Sequence, residues 1–298
     1  MPVPSTLDPA LLTAISDLEL VARVTVDGTL SGLHTSPFHG YSAEFSQYRH
    51  YRPGDDFKYV DWKLYARTDR VYTKQYRETT NLGAQIIIDA SRSMAFAGRN
   101  GVSKLQYARI VAAALAHVTV GQGDAAGLIV YDEAVRHYLP NRVGQTHLRQ
   151  LLVALAKMEA AGSTGSARAL KRAIDLLNRR GLLVVISDLY DEDDGVEREL
   201  RRAVRMGHEV AVFHVLTREE LEFPYDHDVQ LEDLESGQTI LAGAATAVEY
   251  RREFADFVER WRARCAANRI DYTRIMADEP LDAALRGYLL RRGGLASP

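Results

Sequence analysis

Apolar and polar residues are distributed differently in the two parts of this chain. Asp8-Pro9 followed by Leu11, Leu12, Ile15, Leu18, Leu20 and Val21 predicts a capped amphipathic helix near the start. From about Gly28 to Asn81 no period holds, and Gly, Pro, His, Tyr and charges of both signs are mixed. Beyond Leu82, short apolar runs alternate with amphipathic stretches. They predict strands at 84–89, 125–131, 135–139, 182–187, 209–215 and 270–275. Helices are predicted at about 102–120, 144–158, 166–180, 194–206, 246–269 and 280–291, and a late hairpin within 227–241. Strand–helix alternation at this spacing implies an α/β domain with a doubly wound, mostly parallel, Rossmann-like sheet. The Ile86-Ile87-Ile88 run has no polar face and belongs in the middle of that sheet, covered on both sides. The division expected is an N-terminal helix and appendage over 1–80 and the main domain over 81–298.

The chemistry begins where the central strand ends. Ile86-Ile87-Ile88 runs into Asp89-Ala90-Ser91-Arg92-Ser93, an Asp-x-Ser-x-Ser loop. Ligands of open α/β sheets bind at the carboxyl ends of strands. One carboxylate and two hydroxyls there form an oxygen-only donor set suited to a hard cation. Further on, Gly162-Ser163-Thr164 forms a Gly-x-Thr loop, and the strand Leu182–Ile186 ends in Ser187-Asp188.

These three loops, in this order, resemble the metal-ion-dependent adhesion site of von Willebrand factor A domains. The resemblance implies a divalent cation, Mg²⁺ with Mn²⁺ or Ca²⁺ as alternatives, surrounded by Asp89, Ser91, Ser93, Thr164 and Asp188. It also implies a completing Asp or Glu from a partner protein. The third loop reads Ser-Asp-Leu where many such domains have Asp-Gly, which leaves the backbone geometry at Leu189 as the open question.

A second signature lies in residues 40–67, with Arg49, Tyr51, Pro53-Gly54-Asp55-Asp56, Asp61-Trp62 and Ala66-Arg67. With Glu222-Phe223-Pro224, it resembles the domain of unknown function numbered 58, a bacterial family built on a von Willebrand A-like domain. That resemblance implies an adaptor working beside a MoxR-type AAA+ ATPase in the maturation of protein complexes. Physically, Pro53-Gly54 makes a turn, and Asp55 or Asp56 is placed to cap a helix carrying Tyr59, Val60 and Trp62. Arg49 and Arg67 are placed to pair with Asp56 or Asp61, and Arg49, Arg52, Asp55, Asp56, Lys63 and Arg67 form the candidate docking set. Residues 46–80 hold eight Lys/Arg against five Asp/Glu with tyrosines interleaved, the pattern on which a nucleic-acid alternative rests.

Composition narrows the classes. A net charge of −3 gives no chain-wide attraction to nucleic acid or anionic membrane. Cys265 is the single cysteine, which excludes an intramolecular disulfide or a thiolate zinc cluster within the chain. Met1–Leu20 contains no Lys or Arg, unlike a secretory signal, and the apolar runs are too short to cross a bilayer, so the cytoplasm is the expected location. No phosphate-binding Gly-rich loop, His-Glu-x-x-His or nucleophile elbow is present. A metal-dependent phosphoesterase using Asp89 is the enzymatic alternative, but Ser91 replaces the second Asp such enzymes use as acid. The expectation is a non-enzymatic interaction module. His117, His208 and His214 are expected to be packed or surface histidines, and the acidic run Asp191–Asp194 to cap the helix that follows.

Overall fold

The computed structural model describes residues 16–24, 26, 43–52, 60–78, 83–162, 166–190, 194–225, 229–234, 237–281 and 285–289. Helix α1 spans 16–24, and its Leu18 and Ala22 enter the core. Two antiparallel strands, β1 (Ala43–His50) and β2 (Tyr72–Glu78), form a sheet of their own, with helix α2 (Trp62–Thr68) between them in sequence. These strands were not foreseen, because aromatic and charged residues obscure their period of two. The pairing places His50 opposite Tyr72, with ring centroids 4.5 Å apart.

The main sheet is built from β3 (Ala84–Asp89), β4 (Ala126–Tyr131), β5 (Val135–Arg142), β6 (Leu182–Ser187), β7 (Glu209–Leu216) and β10 (Asp271–Met276). Its order is β10-β7-β6-β3-β4-β5, and every pairing is parallel except β4 with β5. All residues of β3, β4 and β6 are buried, as strands covered on both faces must be. Alternate side chains of β3 feed opposite cores. Ile86 and Ile88 pack with Val111 and Leu115 of α3 (Lys104–Gly121) and Leu151 of α4 (Gln145–Ala156). Ile87 packs with Leu170 of α5 (Ser166–Asp175), Leu200 of α6 (Gly195–Arg205) and Trp261 of α8 (Ala244–Ala267). The predicted α/β class and the central place of the Ile86–Ile88 strand therefore stand, as does a late hairpin, β8 (Val229–Glu232) with β9 (Thr239–Ala242).

Several local expectations are corrected. Helix α5 stops at Asp175 rather than near 180, because the Leu176 amide already shares the Arg172 and Ala173 carbonyls in a tightening last turn. Helix α2 starts at Trp62. The amide of Leu64 donates to the Asp61 carboxylate at 3.0 Å, so Asp61 is the cap, while Val60 bridges to Thr73. Asp55 and Asp56, proposed as caps, lie outside the described residues. Asp194 holds the N-cap position of α6, but its carboxylate makes no capping bond and pairs instead with Arg264 at 2.7 Å. Asp191–Asp193 lie outside the described residues. A short helix not anticipated, α7 (Arg218–Glu222), follows β7 behind a Thr217/Glu220 capping box.

Candidate metal centre

Asp89 ends the central strand with its side chain buried. One oxygen accepts the Ser91 amide at 2.9 Å, and the other accepts the Ser187 hydroxyl, from the neighbouring strand, at 2.8 Å. A 3-10 turn over Arg92–Ala95 drops Met94 into the core and turns the loop back. That turn brings the Ser91 and Ser93 Oγ atoms to 3.0 Å, sharing one hydrogen bond. Burial and then the nearby Asp188 charge push the Asp89 carboxyl up to about 6, against the pull of its amide and hydroxyl donors.

Asp188, at the end of β6, has a different environment. Its Oδ2 accepts from Lys104 Nζ at 2.8 Å, and both side chains are 1% exposed. The same ammonium contacts Glu220 Oε1 at 2.5 Å and lies 4.8 Å from the centre of the Tyr190 ring. Burial opposes the charge on Lys104, but the Asp188 and Glu220 carboxylates hold its pKa above the ordinary value. Glu220 is itself anchored: its Oε2 accepts the Thr217 amide at 2.8 Å and hydroxyl at 3.0 Å, and its Oε1 accepts the Tyr190 hydroxyl at 3.1 Å.

Leu189 answers the question left by the Ser-Asp-Leu departure. It takes φ = 58°, the left-handed conformation a glycine would adopt there, and its amide donates to the Ser187 hydroxyl at 2.9 Å. Its side chain is buried in the core shared with Leu170, Val196 and Leu200. Apolar burial therefore stabilises a backbone that costs roughly 1–2 kcal/mol for a residue bearing Cβ. Behind it, the buried His214 ring lies between the Asp188 carbonyl at 2.9 Å and the Tyr272 hydroxyl at 2.7 Å. Burial lowers the His214 pKa to about 4.

The second loop approaches through its backbone. The Ala161 amide donates to the Ala90 carbonyl at 2.9 Å. Gly162 has φ = 74°, and a Cβ there would meet the Asp132 carboxylate at 2.7 Å, so both conformation and space require glycine. Thr164 lies outside the described residues. Asp89, Ser91, Ser93 and Asp188 are thus gathered at the carboxyl ends of adjacent parallel strands.

The family described as "Protein of unknown function DUF58" matches residues 47–264, from within β1 to within α8. The chain belongs to the DUF58 family. Its relative in Mycobacterium tuberculosis, the uncharacterized protein Rv1480, is 34% identical over 234 residues, covering 77% of this chain and 73% of its own. Among solved structures, the conserved hypothetical protein BatB from Bacteroides thetaiotaomicron is similar at a TM-score of 0.45 and 15% identity, over 72% of this chain and 99% of its own. The VWA domain of SpRpn10 gives 0.39 and 10%, over 71% and 95%. At such scores the sheet order itself, rather than these likenesses, defines the fold.

The DUF58 match contains features that sequence patterning missed. Lys104 is the foremost. It occupies the first turn of α3, where a cation opposes the helix dipole, in front of the apolar body Ile110–Ala116. A lysine so placed calls for an acidic partner, and that was the available signal. Thr217-Arg218-Glu219-Glu220 likewise spells a capping box before Glu222-Phe223-Pro224. Residues 219–224 secure the loop after the 3-10 turn: the Arg99 amide donates to the Glu219 carboxylate at 2.8 Å and its guanidinium to the Pro224 carbonyl at 2.9 Å. Ser187, read only as part of the third loop, also holds Asp89 from the neighbouring strand. Of the candidate docking residues, Arg49 lies on β1, Arg52 just after it, and Lys63 and Arg67 on α2, all apart from the six-stranded sheet. Asp61, in their midst, accepts the Tyr48 hydroxyl at 2.9 Å.

Proposed function

We propose that this DUF58 protein is a divalent-cation-dependent protein-interaction module, in which Asp89, Ser91, Ser93, Thr164 and Asp188 hold Mg²⁺. The observation that carries this is the convergence of the Asp89 carboxylate and the Ser91 and Ser93 hydroxyls on one strand end, beside a second carboxylate that repels the first. A cation relieves that repulsion, and an oxygen-only donor set suits Mg²⁺ or Ca²⁺ better than a soft metal. The Ser91 and Ser93 hydroxyls, 3.0 Å apart beside Asp89, would supply part of the shell.

When bound, the metal supplies residual positive charge that attracts an acidic side chain of a partner. The chain's own residues orient it. Ser187 and the Ser91 amide fix Asp89, and the 3-10 turn presents Ser93. The reading is non-enzymatic: both Asp89 oxygens are engaged as acceptors and its side chain is buried, a poor situation for a nucleophile. The partner class implied by the sequence resemblance is a MoxR-type AAA+ ATPase or its client protein, contributing Asp or Glu. Among the described residues no helix is long and apolar enough to cross a membrane. The test is a Mg²⁺ titration by calorimetry on wild type, Ser93→Ala and Thr164→Ala. Wild type should bind one ion, with each variant at least roughly tenfold weaker, the loss of one ligand being worth about 1.4 kcal/mol or more. Equal binding by all three contradicts the ligand assignment.

A further inference from the structure

The Lys104 ammonium is enclosed by Asp188 Oδ2 at 2.8 Å, Glu220 Oε1 at 2.5 Å and the faces of Tyr190 and Phe96 at 4.8 and 5.9 Å. A buried cation in contact with one carboxylate of a metal centre ought to weaken that centre. Here its charge is shared with Glu220, which is held from behind by Thr217 and Tyr190 and has no place among the expected ligands.

Charge counting shows the consequence. Asp89, Asp188 and Glu220 bring three carboxylates together against the one Lys104 ammonium, so the buried cation offsets only part of the acidic set and leaves room for a dication. The ammonium also commits Asp188 Oδ2, while Oδ1 has as its described contact only the Tyr190 amide at a long 3.4 Å. Resting on the cation reading above, we propose that Lys104 and Glu220 are the positioning pair of the centre. Lys104 clamps Asp188 by one oxygen and limits its charge, and Glu220 offsets Lys104 so that a dication is still accepted. The pair sets cation affinity without contributing a ligand. Because α7 carries Glu220 and α3 carries Lys104, the affinity is wired to elements outside the three ligand loops.

The two members act with opposite sign, which a merely structural pair does not. Glu220→Gln leaves the buried ammonium offset only by Asp188 and should raise the Mg²⁺ Kd at least roughly tenfold, since a lost unit charge acts through a low-dielectric interior. Lys104→Met removes a like charge at similar volume and should lower the Kd by a similar factor. The experiment is calorimetric titration of the full chain with Mg²⁺ at pH 7.5, for wild type, Glu220→Gln, Lys104→Met and Ser93→Ala. Opposite shifts of the two pair variants support the proposal. Equal Kd values within about threefold, or shifts in the same direction, overturn it. Should Lys104→Met fail to fold, Glu220→Gln decides alone, with an unchanged or lowered Kd counting against the pair. Ser93→Ala separates the two levels. If wild type binds no Mg²⁺, or Ser93→Ala binds as wild type does, the metal centre itself is refuted, and this proposal with it. If Ser93→Ala weakens binding while the pair variants do not shift as stated, only the pair is refuted.

Discussion

Asp89 ends one parallel strand and Asp188 follows the end of its neighbour, yet they are stabilised in different ways. Asp89 is held by neutral donors, an amide two residues on and a hydroxyl from the next strand, and its carboxyl rises to about 6. Asp188 is held by a buried ammonium 84 residues earlier in the chain, itself tied to Glu220, and its backbone is secured by Leu189 and His214. The first loop is therefore a local structure held by neutral donors. The third already contains a cation as part of the fold. The same residue type at neighbouring strand ends thus meets neutral donors in one case and a buried ammonium in the other, because different elements pack behind each.

The largest expected effect comes from removing the internal cation. Lys104→Met leaves Asp188 and Glu220 buried without their shared partner, which should destabilise the metal-free protein by about 3–5 kcal/mol. Asp89→Asn, at the other strand end, removes a charge that burial already disfavours and weakens one hydrogen bond. Relief of that charge and loss of the hydrogen bond oppose each other, so Asp89→Asn should be far less destabilising than Lys104→Met, and even stabilising at neutral pH. Urea melts of both variants without metal measure the contrast, and similar losses would mean that the two carboxylates are held alike after all.

A smaller effect, with an unusual order, is expected at Leu189. Leu189→Ala loses the buried side chain and keeps the left-handed strain, for about 2–5 kcal/mol. Leu189→Gly loses the same side chain but relieves the strain, so it should be more stable than the alanine variant by about 1 kcal/mol. Thermal melts of the two rank them. Alanine above glycine, the order at ordinary positions, would show that the backbone there is unstrained.

The subtlest contrast is in pH dependence, where two opposite shifts offset each other in wild type. Asp89 has a folded pKa of about 6 against an ordinary 3.8, so its contribution to stability is fully present below 3.8 and lost as pH rises through 6. His214, lowered from 6.5 to about 4, works oppositely, its contribution being present above 6.5 and lost as pH falls toward 4. In wild type without metal the two partly cancel between pH 6 and 4. Asp89→Asn removes the first and leaves the second, so its melting temperature should fall more steeply with acid over that window. Parallel melting curves for variant and wild type would sink the account of Asp89.

Most of the sheet could be anticipated from the chain, because a strand buried on both faces must be apolar throughout and few other segments are. Ile86–Ile88 and Leu182–Ile186 needed no knowledge of their neighbours to be placed. The first loop was legible for a similar reason: Asp89, Ser91 and Ser93 lie within five residues, and a short turn suffices to gather them. The β1–β2 pair was hidden because Tyr48 stands opposite Lys74 and His50 opposite Tyr72, so charged and aromatic residues are mixed and no apolar run marks the strands.

What the amino-acid order settles here is what local forces settle: strand and helix periods, and the Asp61 and Thr217/Glu220 caps. The tertiary structure alone decides which charges meet. Lys104 reaches Asp188 and Glu220 across 84 and 116 residues, and Leu189 takes a glycine's conformation because α5 and α6 supply a core to receive its side chain. The physical reason is common to both. Burying an ammonium or bending a leucine backbone is unfavourable in isolation, and it becomes stable only when distant segments have already converged to provide a counter-charge or an apolar pocket.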